Sequence, residues 1–109
     1  PGSSYDILIG PGALSALPEA VASFAPTRLL VVTDATVARL YGPALQQALS
    51  RVAPTALHAG VDGEADKSMA SVGRVLDALV AHQADRKSMV VALGGGVVGD
   101  IAGFAAAIF

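Results

Sequence analysis

Cysteine and tryptophan are absent from this 109-residue chain, and charged residues make up only 15% of it. The absence of cysteine excludes disulfide bonds and thiolate metal sites and suits a reducing compartment, so we expect a cytoplasmic protein. Seven basic and nine acidic residues give a net charge of −2, without a basic cluster for nucleic acid. No apolar run reaches the roughly 18 residues of a membrane span, and no signal peptide is visible. We therefore expect neither nucleic acid nor a membrane as a partner.

Metal-ligand and nucleophile patterns are also lacking. The two histidines, His58 and His82, are far apart in sequence and have no third ligand at a useful spacing. We interpret His58 as structural and His82 as a surface residue. No set of serine, histidine and aspartate suggests a nucleophilic triad. The sequence thus predicts no metal ligand and no catalytic residue in this chain.

What the chain has is an apolar content of 53% and a regular alternation of strand-like and helix-like segments. This alternation predicts an α/β fold, a Rossmann-like parallel sheet with helices on both faces. We expect one domain over 1–109, in which 1–4 form a disordered lead or a tag remnant. The predicted strands are 5–10, 28–33, 55–59 and 88–93, and the predicted helices are 13–24, 37–49, 69–80 and 97–109.

Helical spacing also predicts which faces cover the sheet. Asp34 and Thr36 are both candidate N-caps for the second helix, and 60–67 is expected to be a polar loop. The last helix has no C-cap signal, so we expect the natural protein to continue. The second helix is the clearest amphipathic helix, with an expected apolar face of Val37, Leu40, Tyr41, Ala44, Leu45, Ala48 and Leu49. The expected apolar faces are Met69, Val72, Leu76, Leu79 and Val80 in the third helix, and Ile101, Phe104, Ala105 and Ile108 in the fourth.

The strongest local signal is GGGVVGD at 94–100, which follows a predicted strand and opens a predicted helix. Glycines let the backbone approach a pyrophosphate closely, and free amides at a helix N-terminus favour an anion. Read as G-x-G-x-x-G, the segment fits the dinucleotide fingerprint. The alternative is a tight strand-to-helix turn, with Asp100 in the first helical turn complementing the helix dipole.

Two polar features follow other predicted strands. Asp34 ends the second strand, where a carboxylate can accept hydrogen bonds from a ribose, although a helix N-cap explains it at least as well. DGEADKS at 62–68 follows the third strand, and on local grounds a polar turn with a serine cap is the better explanation. Because the carboxyl ends of parallel strands share one edge, these features and the glycines together predict a ligand site there.

These segments resemble the N-terminal part of the 3-dehydroquinate synthase family. ALGGGVVGDIAGFAAA at 92–107 resembles the family's central motif, and DGEADKS resembles its D-G-E-x-x-K-S loop. Val32-Thr33-Asp34 with Leu40-Tyr41 is similar to its T-D…L-Y segment, and YDILIGPGAL at 5–14 resembles its opening. Order and spacing agree over essentially the whole chain. Val61 departs from the proline often found before D-G-E.

The resemblance implies an NAD- and metal-dependent lyase of the shikimate pathway of aromatic amino acid biosynthesis. Such an enzyme converts the sugar phosphate 3-deoxy-D-arabino-heptulosonate 7-phosphate to 3-dehydroquinate and phosphate. The resemblance further implies a homodimer at full length, and zinc or cobalt ligands in a C-terminal domain that is absent here. This chain would supply the NAD half-site and would not turn over substrate alone.

The resemblance also assigns residues to the cofactor. Asp34 matches the contact to the adenosine ribose, and Thr36 matches a polar contact found in some members. The remaining NAD-binding positions that the resemblance implies are Asp62, Gly63, Glu64, Lys67, Gly95, Gly96, Val97, Val98, Gly99 and Asp100.

Three other interpretations stay open. One is another sugar-phosphate cyclase of the 2-deoxy-scyllo-inosose synthase type, against which the Val97-Val98 pair and Asp100 argue. The second is a glycerol or iron-dependent alcohol dehydrogenase, against which the DGEADKS loop argues. The third is a stand-alone nucleotide-binding or interaction module that uses its apolar last helix as a partner surface.

Overall fold

The structure, a computed structural model, describes residues 4–8, 16–61, 69–94 and 96–109. Strands and helices alternate along these ranges, as the sequence predicts. The elements are β1 (Ser4–Leu8), α1 (Leu17–Ala22), β2 (Leu29–Asp34), α2 (Ala35–Ser50), β3 (Thr55–Val61), α3 (Met69–Ala81), β4 (Met89–Leu93) and α4 (Gly96–Ile108).

The four described strands form one parallel sheet in the order β1-β4-β2-β3. Strands β2 and β4 are therefore central, although they are not consecutive in the chain. They pair without a shift from Leu29 opposite Met89 to Thr33 opposite Leu93. The predicted parallel sheet is confirmed, and its inner pair brings together segments about 60 residues apart in sequence.

The central strands are buried on both faces, and this divides the core in two. Leu30 and Val32 of β2 face one side, and Leu29 and Val31 face the other, as the alternation of side chains along a strand requires. Helices α3 and α4 cover the first side, while α1 and α2 cover the second. The prediction of helices on both faces is confirmed.

Three predicted boundaries change. Gly60 and Val61 belong to β3 and not to a polar loop, because β3 pairs with β2 as far as Val61 opposite Asp34, after a register shift. Ser4 belongs to β1 and pairs with Met89, so it is not part of a disordered lead. Pro18 lies in the first turn of α1 and marks its start. The predicted serine cap at Ser68 lies outside the described residues.

The predicted apolar face of α3 was partly wrong. Val72 and Leu79 are buried as expected, but Met69 and Val80 are 66% and 67% exposed, whereas Val75 is fully buried. Ser71, whose side chain is polar, is also buried, and its Oγ accepts a hydrogen bond of 2.8 Å from Arg74. The buried face is therefore rotated around the helix from the predicted one, toward Ser71 and Val75.

The predicted face of α4 was wrong in the same way. Ile101 and Ala105 are buried, but Phe104 and Ile108 are about half exposed. The helix instead packs through small side chains, which allow its backbone to approach the sheet closely. The remaining buried apolar residues of α4 are Val98, Ala102 and Ala106.

None of the helices in the described part of the chain combines the length and the hydropathy that a membrane crossing needs. Even α4, which is apolar on most sides, has only 13 residues.

The amino edge of the sheet is held by a carboxylate. The hydroxyl of Thr27, just before β2, donates a 2.6 Å hydrogen bond to Oδ1 of Asp85, just before β4. The backbone N–H of Lys87 donates to the same oxygen at 2.8 Å, and the Ser88 hydroxyl donates at 3.3 Å. The hydrogen bond from Thr27, followed by that from Lys87, holds the pKa of Asp85 below its ordinary value of 3.8.

Truncation of Leu49 should test the packing of α2 on the sheet. Leu49 is fully buried, so Leu49→Ala should lower the free energy of unfolding by about 2–5 kcal/mol. Leu40 was expected on the apolar face of the same helix but is 60% exposed, as Tyr41 is at 38%, so the predicted face was wrong at these two residues. Leu40→Ala should therefore change stability by at most about 0.5 kcal/mol. Urea denaturation measures both. Equal losses in the two variants would contradict the assigned face of α2.

The Asp85 hydrogen bonds should make stability depend on pH in acid. A carboxylate whose pKa is lowered by folding stabilises the folded state above its unfolded pKa, and this contribution is lost as pH falls through the lower folded value. The wild type should therefore lose stability between about pH 5 and pH 3 more steeply than Asp85→Asn. Thermal unfolding at several pH values measures the two slopes, and parallel curves would show that this carboxylate does not clamp the strands.

Candidate functional site

The carboxyl ends of β2 and β4 form the point at which the sheet opens a crevice. Helix α2 leaves β2 and packs on one face, whereas α4 leaves the adjacent strand β4 and packs on the opposite face. Ligands of open α/β sheets bind outside the carboxyl ends of strands where the connections diverge in this way. The sequence places Asp34 and the glycine turn at these two strand ends.

Asp34 lies at the junction of β2 and α2 and uses one oxygen to start the helix. Its Oδ1 accepts a 2.7 Å hydrogen bond from the backbone N–H of Val37, and the residue is the N-cap of α2. Thr36, the other candidate cap, lies inside the first turn and is exposed. The cap interpretation of Asp34 is therefore confirmed, and its second oxygen, Oδ2, lies on the side of β4.

Gly94 follows β4 directly and faces that second oxygen. A Cβ built on Gly94 would lie 3.4 Å from Oδ2 of Asp34 and 3.1 Å from Cγ2 of Val98. The φ of Gly94 is +145°, a backbone conformation that side chains with a Cβ rarely adopt. The chain at this point thus requires glycine for conformation and for space, and the missing side chain leaves the backbone next to Asp34 open to close approach.

The two strand ends are also tied to each other. The buried hydroxyl of Thr33 donates a 2.6 Å hydrogen bond to the carbonyl of Leu93, which directly precedes Gly94. Because β2 and β4 are in register here, this bond fixes the height of Asp34 relative to Gly94. The resulting site has a carboxylate on one wall and a glycine turn on the other.

The start of α4, which follows the glycine turn in the chain, is the third part of the site. The helix begins at Gly96, so the amides of its first residues have no partner within the helix and favour an anion. Val98 is buried in the core and Gly99 is also buried, so neither offers a side chain to a ligand. Asp100 is exposed and is the fifth residue of α4, beyond the first turn where we expected it.

Five of the predicted cofactor positions lie outside the described residues. They are Asp62, Gly63, Glu64, Lys67 and Gly95. Val61, however, pairs with Asp34, so β3 ends beside the candidate site.

The two histidines lie in different parts of the sheet. His82 contacts the carbonyl of Pro54 through Nε2 at 3.1 Å, at the opposite edge of the sheet. His58 belongs to β3. In the portions of the chain that the structure describes, no three side chains of the metal-ligating types form a cluster.

Two residues of the site were not among the cofactor positions that the resemblance implied. Gly94 opens the glycine fingerprint, but within this run the implied cofactor positions began at Gly95. Thr33 was assigned only to a buried strand. The signal for Gly94 was its place as the first glycine after an apolar strand, where a sharp change of direction requires a positive φ. No sequence signal predicts the hydrogen bond of Thr33, since it depends on the pairing of β2 with β4.

Two single glycine-to-alanine substitutions, at Gly94 and at Gly73, should test the turn at Gly94. We expect Gly94→Ala to lower the free energy of unfolding by about 1–3 kcal/mol, because alanine at this φ is strained and its Cβ meets Val98. Gly73 lies within α3, and a Cβ added there would meet nothing within 4 Å. Gly73→Ala should therefore stabilise by about 0.5–1 kcal/mol. Chemical denaturation measures the change in the free energy of unfolding of each variant. No change in Gly94→Ala would show that the turn does not need glycine.

Comparison with known proteins identifies similar sequences. Residues 57–109 match the family described as 3-dehydroquinate synthase N-terminal. Over its whole length the chain is 46% identical to the 3-dehydroquinate synthase of Bordetella pertussis, and over 96% of its length it is 46% identical to that of Paracoccus denitrificans. It spans about 30% of the length of these relatives.

Solved structures show the same fold. A 2-epi-5-epi-valiolone synthase from Streptomyces hygroscopicus subsp. jinggangensis 5008, with NAD⁺ and Zn²⁺ bound, superposes with a TM-score of 0.73 over 96% of this chain and 29% of that chain, at 36% identity. A 2-deoxy-scyllo-inosose synthase, complexed with carbaglucose-6-phosphate, NAD⁺ and Co²⁺, superposes with a TM-score of 0.79 over 96% of this chain and 29% of that chain, at 22% identity. The resemblance found in the sequence is thus confirmed: over its full length, this chain is a relative of the 3-dehydroquinate synthases.

Proposed function

We propose that this chain supplies the NAD-binding part of a 3-dehydroquinate synthase. The observation that carries the proposal is the juxtaposition of Asp34 and Gly94 across the carboxyl ends of two adjacent parallel strands. A carboxylate at this position can accept hydrogen bonds from the hydroxyls of a ribose, and the open glycine turn leaves room for the linked pyrophosphate. NAD, when bound, supplies a hydride acceptor that is restored within each catalytic cycle.

The described residues fit a dinucleotide in three respects. Oδ1 of Asp34 is held by the Val37 amide, so the carboxylate has a fixed orientation toward the turn. Gly94 lacks the Cβ that would occupy the space in front of Oδ2. The first amides of α4 are oriented toward the same edge and favour a phosphate. The loop positions Asp62, Gly63, Glu64 and Lys67 remain part of the proposal, because Val61 brings their segment to this edge.

The activity of the whole enzyme is likewise proposed. The identity to 3-dehydroquinate synthases supports conversion of 3-deoxy-D-arabino-heptulosonate 7-phosphate to 3-dehydroquinate and phosphate by a protein about three times as long. The zinc or cobalt ligands and most of the groups that bind the sugar phosphate would belong to the other part of that protein. A homodimer, a cytoplasmic location and a place in the shikimate pathway complete the proposal.

Another sugar-phosphate cyclase is the second candidate. The 36% identity to a 2-epi-5-epi-valiolone synthase over almost the whole chain favours it over the dehydrogenase and stand-alone alternatives. The higher identity to several 3-dehydroquinate synthases ranks it below the first candidate. Release of phosphate from 3-deoxy-D-arabino-heptulosonate 7-phosphate by the full-length protein separates the two.

The charge of Asp34 should set the choice of cofactor. In the full-length protein, Asp34→Asn should weaken NAD⁺ binding by about tenfold or more, because a charge-assisted hydrogen bond contributes about 1.5–3 kcal/mol. Binding of NADP⁺ should improve relative to NAD⁺, since the carboxylate no longer repels a 2′-phosphate. Asparagine caps a helix about as well as aspartate, so α2 should keep its stability. Calorimetric titration gives the affinities.

Asp77→Asn provides the matched control, because Asp77 is an exposed carboxylate on α3, away from the carboxyl edge of β2. It should leave both affinities unchanged. The proposal fails if the full-length protein binds no NAD⁺, or if Asp34→Asn binds both cofactors as the wild type does.

A further inference from the structure

A cavity lies at the amino edge of the sheet, at the opposite end of the strands from the candidate cofactor site. It has a volume of about 280 Å³ and is lined by residues 24–26, which precede β2, and by residues 86–89, which lead into β4. The backbone N–H of Thr27 donates to the carbonyl of Lys87 at 3.1 Å, so the two segments are held together. Pockets for small molecules begin at roughly 300 Å³, so this cavity suits a small occupant. We call it the amino-edge cavity.

An aromatic side chain lines the amino-edge cavity. Phe24 is 55% exposed, in a chain of which aromatic residues make up only 5%. The next residue, Ala25, has a φ of +49°, a left-handed conformation that is unfavourable for a residue with a Cβ. Strained backbone of this kind concentrates at ligand sites. The turn from α1 to β2 thus leaves the ring of Phe24 outside the core, where a ligand can reach it.

Two cations also line the amino-edge cavity. Arg86 and Lys87 are exposed, and within the described ranges neither side chain takes part in a hydrogen bond or an ion pair. The neighbouring Asp85 is not one of the lining residues, and its Oδ1 already accepts three hydrogen bonds. The two positive charges are therefore available to an anion in the cavity.

The charge of this edge is opposite in sign to that of the chain as a whole. The segments directly before β2, β3 and β4, which are 23–28, 51–54 and 82–88, contain four basic residues and one acidic residue. The basic residues are Arg28, Arg51, Arg86 and Lys87. The complete chain has a net charge of −2. A local excess of positive charge raises the concentration of anions near the cavity.

We propose that the amino-edge cavity binds a small aromatic anion, with its ring against Phe24 and its anionic group between Arg86 and Lys87. A guanidinium forms paired hydrogen bonds with a carboxylate or a phosphate, and an ammonium binds either group as a point charge. The ring of Phe24 adds an apolar contact that an inorganic ion cannot use. The site does not depend on the proposed function, because the five residues of β4 separate it from the glycine turn by about 15 Å.

Fluorine NMR on the full-length protein tests this site. The anionic probes are 4-fluorobenzoate and 4-fluorophenyl phosphate, which distinguish a carboxylate from a phosphate, and the neutral control ligand is 4-fluorobenzyl alcohol. NAD⁺ is present in excess, so that binding at the cofactor edge does not contribute. At least one anionic probe should bind about tenfold or more tightly than the alcohol, because two cations face it. Inorganic phosphate should displace that probe only at a concentration about tenfold higher or more, since it lacks the ring.

Three variants locate the bound probe. Arg86→Gln and Lys87→Gln should each weaken binding of the anionic probe by about threefold or more, because each removes one charge from the cavity. Phe24→Ala should weaken it to a similar extent, because the apolar contact is lost. All three side chains are exposed, so these substitutions leave the core intact.

Two further variants serve as matched controls. Arg51 is an exposed arginine at the same edge, before β3, but it does not line the cavity, so Arg51→Gln changes the charge alone. Leu40→Ala removes an exposed apolar side chain from α2. Both variants should bind the probe as the wild type does. The proposal is overturned if neither anionic probe binds, if the alcohol or inorganic phosphate binds equally well, or if Arg51→Gln weakens binding as much as Arg86→Gln. Binding that survives all three cavity variants would overturn it as well.

Discussion

The pairing of β2 with β4 is the constraint on which the rest of this structure depends. The two strands come from distant parts of the sequence, yet they run in register over Leu29–Thr33 and Met89–Leu93. Their side chains alternate between two separate cores, and each core determines where two helices pack. At the amino edge Asp85 joins the two strand starts, and at the carboxyl edge Thr33 joins the two strand ends. A slip of one residue would exchange the two cores and separate Asp34 from Gly94.

Asp34 links the stability of the fold to the candidate site. Its Oδ1 begins α2, and its Oδ2 faces the glycine turn, so one carboxylate serves a helix and a crevice at once. The choice between an N-cap and a ligand contact, which the sequence left open, is therefore not exclusive. Because Val37 holds one oxygen, the other is positioned before any ligand arrives, and little side-chain entropy remains to be lost on binding.

The elements of this fold could be predicted from the sequence, but the details of packing could not. Buried strands such as β2 and β4 consist of short apolar runs, which identify them locally. The strand order depends on pairing between distant segments, and no local pattern contains it. The predicted helix faces were wrong where side-chain size determines the packing. Phe104 and Ile108 were expected inside, yet small residues occupy the contact of α4 with the sheet. For the site, Asp34 was predicted, whereas the role of Gly94 depends on a φ of +145° that composition cannot give.

The packing of α4 determines how precisely the site could hold a cofactor. The amides that would bind a pyrophosphate belong to the first turn of α4, so their position is only as precise as the packing of the helix. Alanines hold the helix against the sheet. If this packing were loosened, a fraction of molecules would place the helix N-terminus away from the phosphate, and the apparent NAD⁺ affinity would fall by that fraction. The small side chains of α4 would therefore affect NAD⁺ binding without touching the cofactor.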